Sequence, residues 1–177
     1  MRKGLILLAC LAAGPAAASG IEISLSGGVE GTVRIDLLED VAPNHAERIT
    51  ALANRDAYDG VVFHRVIDGF MAQTGDVQFG RADGDMSRAG YGGSDLPDLA
   101  QEFSDIAFEP GVVGMARSGN SVDSANSQFF IMTEPAPHLN GDYTVVGRVT
   151  EGMDLINRIP ATGQGEMVVM DEVTTTD

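Results

Sequence analysis

The sequence predicts a mainly β fold, a closed antiparallel barrel capped by two α-helices. Three observations carry that expectation. Short apolar–polar alternations recur along the chain, helical spacing occurs only twice, and glycine-rich turns separate the segments. The 177 residues, 44% hydrophobic and 21% charged, suit one globular domain with a real core.

Taken in order, the chain opens with a segment outside the fold. Arg2 and Lys3 precede the apolar run Leu5 to Ala13, Gly14-Pro15 breaks it, and Ala16-Ala17-Ala18 offers a small-residue exit. That order of features is a secretory signal peptide. Residues 1–18 are therefore expected to be removed, leaving a single domain over 19–177 in an exported, periplasmic protein. The apolar run is shorter than the roughly 20 residues of a membrane span. A buried N-terminal helix is the plainer alternative. Leu7-Leu8-Ala9-Cys10 also forms a loose lipobox, which would anchor the chain by a lipid on Cys10.

Ile21-Glu22-Ile23-Ser24-Leu25 and Gly31 to Leu37 alternate as half-buried strands, and Gly27-Gly28 joins them into a hairpin. Pro43 opens a helix whose apolar stripe is Ala46, Ile49, Leu52 and Ala53, ending before Tyr58-Asp59-Gly60. Val61-Val62-Phe63 and Phe70 to Gln73 read as short strands. Residues 79–101, punctuated by Gly80, Gly84, Gly90, Gly92, Gly93 and Pro97, read as a long surface excursion. Val112 to Ala116 and Phe129 to Met132 read as buried strands. Asn140-Gly141 is a hairpin-turn dipeptide, with Tyr143 to Val149 as the return strand. Met153 to Ile159 gives a second short helix stopped by Pro160, and Met167 to Met170 a last strand.

Charge and cysteine content exclude several functions. Eleven basic against 26 acidic residues give a formal net charge of −15. Loss of residues 1–18 removes two basic residues and no acidic one, moving it to −17 and leaving nine arginines and no lysine. Such a surface does not neutralise nucleic-acid phosphates or anionic lipids. A single cysteine forms no internal disulfide and no cysteine-based zinc site. The chain has no Gly-x-Ser-x-Gly, His-Glu-x-x-His or Gly-x-x-x-x-Gly-Lys motif. Asp83-Gly84-Asp85 lacks the remaining ligands of a calcium loop and reads as a solvated acidic turn. Of the histidines, His45 is expected exposed on the first helix, and His64 to be structural.

The most informative segment is Phe63-His64-Arg65-Val66-Ile67-Asp68-Gly69-Phe70-Met71-Ala72-Gln73-Thr74-Gly75-Asp76. With Met115-Ala116-Arg117-Ser118, Ser127-Gln128-Phe129-Phe130-Ile131 and Tyr143-Thr144-Val145-Val146-Gly147-Arg148-Val149, it resembles the cyclophilin family of peptidyl-prolyl isomerases. The likeness runs in the family's order from about Ile21 to Met170.

That resemblance implies an eight-stranded antiparallel closed barrel capped by two helices, with a groove on its outer face. It implies isomerisation of the bond preceding proline, with no metal and no cofactor. Arg65, Phe70, Gln73 and Phe130 then hold catalytic positions. Met71, Ala116, Arg117, Ser118, Gln128, His138, Leu139 and Tyr143 hold substrate-binding ones. His138 stands where many eukaryotic members have tryptophan, Tyr143 where they have histidine, and Asp68 where a proline is usual. Tyr143 gives the chain the look of the exported bacterial branch. The implied partners are proline-containing unfolded or partly folded polypeptides, met by a monomer.

The chemistry accounts for these residue types. Rotation about a peptide C–N bond faces a resonance barrier of about 18–20 kcal/mol. In the twisted state the prolyl nitrogen regains a lone pair, which a fixed cationic donor stabilises selectively. Arg65 is the candidate donor, permanently charged and directional. Phe70, Met71, Phe130 and Leu139 suit an apolar proline socket, although strand alternation cannot separate groove from core and without the resemblance core is the favoured reading. Gln73, Gln128 and the Arg117 main chain suit the flanking peptide. No titrating base is needed, so a flat pH profile near neutrality is expected. An alternative is a cyclophilin-fold binding module or chaperone with weak isomerase activity, and another is a lipid-anchored assembly factor.

Overall fold

Ile21, Ile23 and Leu25 alternate inward along the first strand, as their spacing predicts. The computed structural model describes residues 19–176, so the expected signal peptide and Cys10 lie outside the described residues. β1 (Gly20–Gly27) pairs antiparallel with β2 (Gly31–Leu37), completing the expected first hairpin.

Helix α1 (Pro43–Ala53) follows, burying Ala46, Ile49, Leu52 and Ala53 with Pro43 in its first turn. Its Ala42 N-cap offers no side-chain acceptor. The carboxylate of Glu102 replaces it, accepting from the backbone N–H groups of Asn44 and His45 at 3.2 and 3.1 Å. This arrangement corrects the expectation for His45. Its ring is buried, with Nδ1 2.6 Å from Glu102 Oε2. The partner arrives from 57 residues along the chain, which helical spacing cannot reveal.

The remaining strands are β3 (Val61–Val62), β4 (Arg65–Ile67), β5 (Met71–Thr74), β6 (Val112–Met115), β7 (Phe129–Met132), β8 (Val145–Glu151) and β9 (Val168–Thr176). Helix α2 (Met153–Ile156) separates the last two. Among the described residues the sheet has nine strands, ordered β3-β9-β1-β2-β8-β6-β7-β5-β4, rather than eight. Its two ends, β3 and β4, are joined directly by Phe63-His64. Two residues carry the chain onward without reversing it, so covalent continuity joins the ends where strand pairing stops.

Three further expectations are corrected. Asn140-Gly141 makes no hairpin, because β7 and β8 both flank β6 and do not pair with each other. Asn140 has φ −61° and ψ 128° and Gly141 φ 73°, the angles of a type II turn, closed by Asp142 N–H to the Leu139 carbonyl at 3.1 Å. Helix α2 stops at Ile156, where Arg158 and Ile159 switch to three-residue turn bonds. The last strand runs on to Thr176, paired with β1 as far as Gly20; a bulge opposite Ser24 and Leu25 turns both Asp171 and Glu172 outward and breaks the alternation that would have revealed it.

The core divides into two layers across one sheet. Val113, Met115, Phe129, Ile131, Ala72 and Val146 face the barrel interior. Their strand neighbours Val112, Phe130, Met132, Met71 and Val145 face outward, where Phe108, Ala136 and Leu139 cover them. Side chains on both faces of this part of the sheet are therefore buried, which explains the unbroken apolar run Phe129–Met132. Gly114 makes the outer layer possible. A Cβ there would lie 2.5 Å from Phe130 and 2.7 Å from Phe108, so only glycine lets both rings lie on the sheet.

Candidate active site

The β4–β5 hairpin supplies the first side of the site. Asp68-Gly69 turns the chain, with Gly69 at φ 67° and Phe70 N–H donating to the Ile67 carbonyl at 3.1 Å. The register sets Arg65 opposite Gln73 and Ile67 opposite Met71. Across the next ladder Gln73 faces Phe130. Side chains two residues apart on one strand share a face, so Met71, Gln73, Arg65 and Phe130 converge on the outer surface.

They line a pocket of about 320 Å³, completed by Phe70, Leu139, Ala116, Arg117 and Tyr143. Phe130 is nearly fully buried, stacked on Phe108 at 5.7 Å between ring centroids and met edge-on by Tyr143 at 5.7 Å. The Phe70 ring stacks on His138 at 5.6 Å. Arg65 leaves its charge at the pocket with exposed surface. Its Nη1 donates to Gln73 Oε1 at 3.3 Å and lies 3.8 Å from the Met71 sulfur.

Arg117 is pinned by its surroundings. The guanidinium sits 4.5 Å over the Tyr143 ring and donates to the Asp142 and Ser118 carbonyls at 3.1 and 3.0 Å. A second, more polar pocket of about 610 Å³ adjoins the first and shares Gln73, Ala116 and Arg117 with it. Ser118 and Gln128 line this neighbour rather than the apolar pocket. His138 lines neither, standing behind Phe70.

Sequence reasoning missed the far wall of the second pocket, formed by Gly90, Gly92, Ser94, Asp98 and Asn126. The 79–101 excursion, which carries the first four, is irregular apart from one turn of 3-10 helix at Met86–Arg88 and isolated bridges at Arg81 and Leu99. Asn126 and Arg48 hold it in place. Asn126 Oδ1 accepts from Ser94, its amide donates to Leu96 and Asp98, and buried Arg48 donates to the Pro97 carbonyl at 2.7 Å. The glycine density of residues 79–101 was the available signal, and it marks a loop without saying what the loop lines.

Two groups near this framework have displaced pKa values. Burial lowers His64, against an opposing pull from the Asp76 carboxylate, so the ring is neutral at pH 7. Burial alone would raise Glu102. Hydrogen bonds from His45 and Asn44 outweigh it and hold the carboxyl below its usual range.

Residues 21–176 match the sequence model of the family described as "Cyclophilin type peptidyl-prolyl cis-trans isomerase/CLD". A Brucella suis biovar 1 (strain 1330) protein named "Probable peptidyl-prolyl cis-trans isomerase" is 54% identical over 139 residues, covering 77% of this chain and 70% of that protein. A Brucella abortus (strain 2308) protein of the same name is 53% identical over the same shares. Among solved structures, a Cryptosporidium parvum cyclophilin-type isomerase determined in the presence of the dipeptide Ala-Pro superposes with TM-score 0.74 at 22% identity. It covers 89% of this chain and 99% of that one. A cyclophilin from Hirschia baltica gives TM-score 0.70 at 22% identity, covering 88% and 73%.

Proposed function

The chain belongs to the cyclophilin-type peptidyl-prolyl cis-trans isomerase family, and from that premise we propose that it speeds rotation about Xaa-Pro bonds in exported polypeptides through Arg65 and an apolar proline pocket. The observation that carries this reading is the position of Arg65 on the wall of a pocket whose floor is apolar, with its Nη1 free of any carboxylate partner among the described residues. Arg65 lines the pocket floored by Phe130, Met71 and Leu139, and Gln73 holds its guanidinium.

The proline ring fills the pocket against Phe130, which Phe108 and Tyr143 keep in place. As the bond twists, conjugation is lost and the prolyl nitrogen gains a lone pair. An Arg65 N–H donates to it, a contact that neither planar isomer offers. Gln73 fixes the direction of that donor before the substrate arrives. The residues flanking proline lie along Ala116, Arg117 and Gln128, with the second pocket taking a side chain on the N-terminal side. No proton changes hands, so the rate is flat across neutral pH.

The signal-peptide pattern of residues 2–18 supports export to the periplasm, and the acidic surface suits a monomer that leaves nucleic acids alone. No helix among the described residues is long and apolar enough to cross a membrane. The test is NMR exchange of an Ala-Pro peptide with purified protein at substoichiometric amounts. Line broadening of the proline cis and trans resonances is expected. A folded chain that leaves the exchange at its uncatalysed rate would make the groove a binding surface instead.

A further inference from the structure

The carboxylate of Asp76 is completely buried at the end of the β5 segment, a costly place for a charge. Among the described residues no cation pairs with it. Four backbone N–H groups solvate it instead, and its two oxygens divide them. Oδ1 accepts from neighbouring Gln78 and Phe79 at 3.1 and 2.8 Å. Oδ2 reaches across the excursion to Gly90 and Gly92 at 2.7 and 3.0 Å.

Both distant partners require glycine. Gly90 has φ 94°, and a Cβ on Gly92 would lie 2.3 Å from Asp76 Oδ1. With their N–H groups turned inward, the carbonyls of the same two residues both receive Gln128 Nε2, at 3.1 and 2.8 Å. An amide nitrogen has only two hydrogens. Both are thus committed, and Gln128 must present its oxygen to Gln73, whose Nε2 donates at 3.0 Å. Gln73 in turn must present its oxygen, not its NH₂, to Arg65.

We propose that Asp76 is a positioning residue for the isomerase, setting the amide orientations of Gln128 and Gln73 and through them the direction of the Arg65 guanidinium. This inference rests on the isomerase reading above. Polarity propagates outward along a single series of bonds, from Asp76 to Gly90 and Gly92, then Gln128, Gln73 and Arg65. Loss of the buried charge frees the glycine pair, lets Gln128 flip, and removes the acceptor that Gln73 offers.

The test compares Asp76→Asn with the unaltered protein, using Ala-Pro peptide exchange and the side-chain amide signals of Gln128. In Asp76→Asn, kcat is expected to fall about tenfold with KM nearly unchanged, within the roughly hundredfold that a 1 Å misplacement can cost. In a Gln128→Ala background the same substitution should cost less than about twofold, because the series is already cut. A second full tenfold loss in that background, or an unaltered kcat in the single variant, overturns the proposal.

If Asp76→Asn does not fold, Gln128→Ala supplies the reciprocal reading. Its Gly90 and Gly92 amides should exchange with solvent about tenfold faster, since coupling between two sites acts in both directions. Unchanged exchange overturns the proposal. The Gln128 amide signals need no turnover. Faster Gln128 amide exchange in Asp76→Asn with an inactive parent protein would sink the isomerase reading while upholding the relay.

Discussion

Arg65 and Gln73 face each other across the β4–β5 ladder, and the guanidinium donates to the amide oxygen at 3.3 Å. In the proposed mechanism that bond aims the donor of an otherwise exposed side chain. Gln73→Leu removes the acceptor but keeps the strand register. Misplacing a catalytic group by about 1 Å can cost roughly 100-fold in rate. Activity on an Ala-Pro peptide should fall about tenfold or more, with the melting temperature nearly unchanged. A variant as active as the parent would show that Arg65 needs no such support.

The pocket floor belongs to the fold as well as to the site. Phe130 is buried between Phe108 and Tyr143, so Phe130→Ala should cost about 3–4 kcal/mol in urea unfolding. Peptide binding should weaken in parallel. A loss under 1 kcal/mol would show that the outer layer collapses to fill the gap.

Gly114 tests the same layer from beneath. Its added methyl in Gly114→Ala meets Phe130 and Phe108 at under 3 Å. Overpacking of this kind costs about 1–3 kcal/mol. The ring signals of Phe130 and Tyr143 should shift together in NMR spectra, and an unperturbed Tyr143 would contradict the packing described.

Stability should decline in two acidic stages. The folded state depresses His64 below its ordinary 6.5, so the unfolded chain takes up that proton first. Stability is full above pH 6.5 and declines as pH falls from there towards the lowered folded value. Glu102 is likewise held below its ordinary 4.5, so its share is lost only beneath that pH. Urea midpoints measured from pH 8 to 4 should show the first decline, and His64→Gln should flatten it. Identical slopes between pH 6.5 and 5 in both proteins would refute the His64 assignment.

Most of this architecture was legible because its signals are local. The β1–β2 hairpin, helix α1 and the buried strands around Val113 and Ile131 each follow from spacing alone. The strand count was not, because β4 hides in the charged Arg65-Val66-Ile67, where only Val66 is buried. Asn140-Gly141 misled because the same dipeptide serves a type II turn when its strands pair with a common neighbour. Sequence alone also could not separate groove from core, since Phe129 and Phe130 are alike apolar and point to opposite faces. Resemblance supplied the groove residues, and the structure gathers nine of them around one pocket. The Gly90 bond to Asp76 and the burial of His45 against Glu102 bridge 14 and 57 residues, beyond any local pattern.

The most direct test of the account is the isomerisation rate of an Ala-Pro peptide with the unaltered protein, Arg65→Ala and Arg65→Lys. Loss of a preorganised donor to the twisted state should cost about 10²–10³ in kcat/KM for Arg65→Ala. Arg65→Lys should recover only part of the loss, because a lysine ammonium lacks the planar guanidinium that Gln73 orients. Folded Arg65→Ala protein turning over peptide at the unaltered rate would contradict the assignment of Arg65 as the electrostatic catalyst.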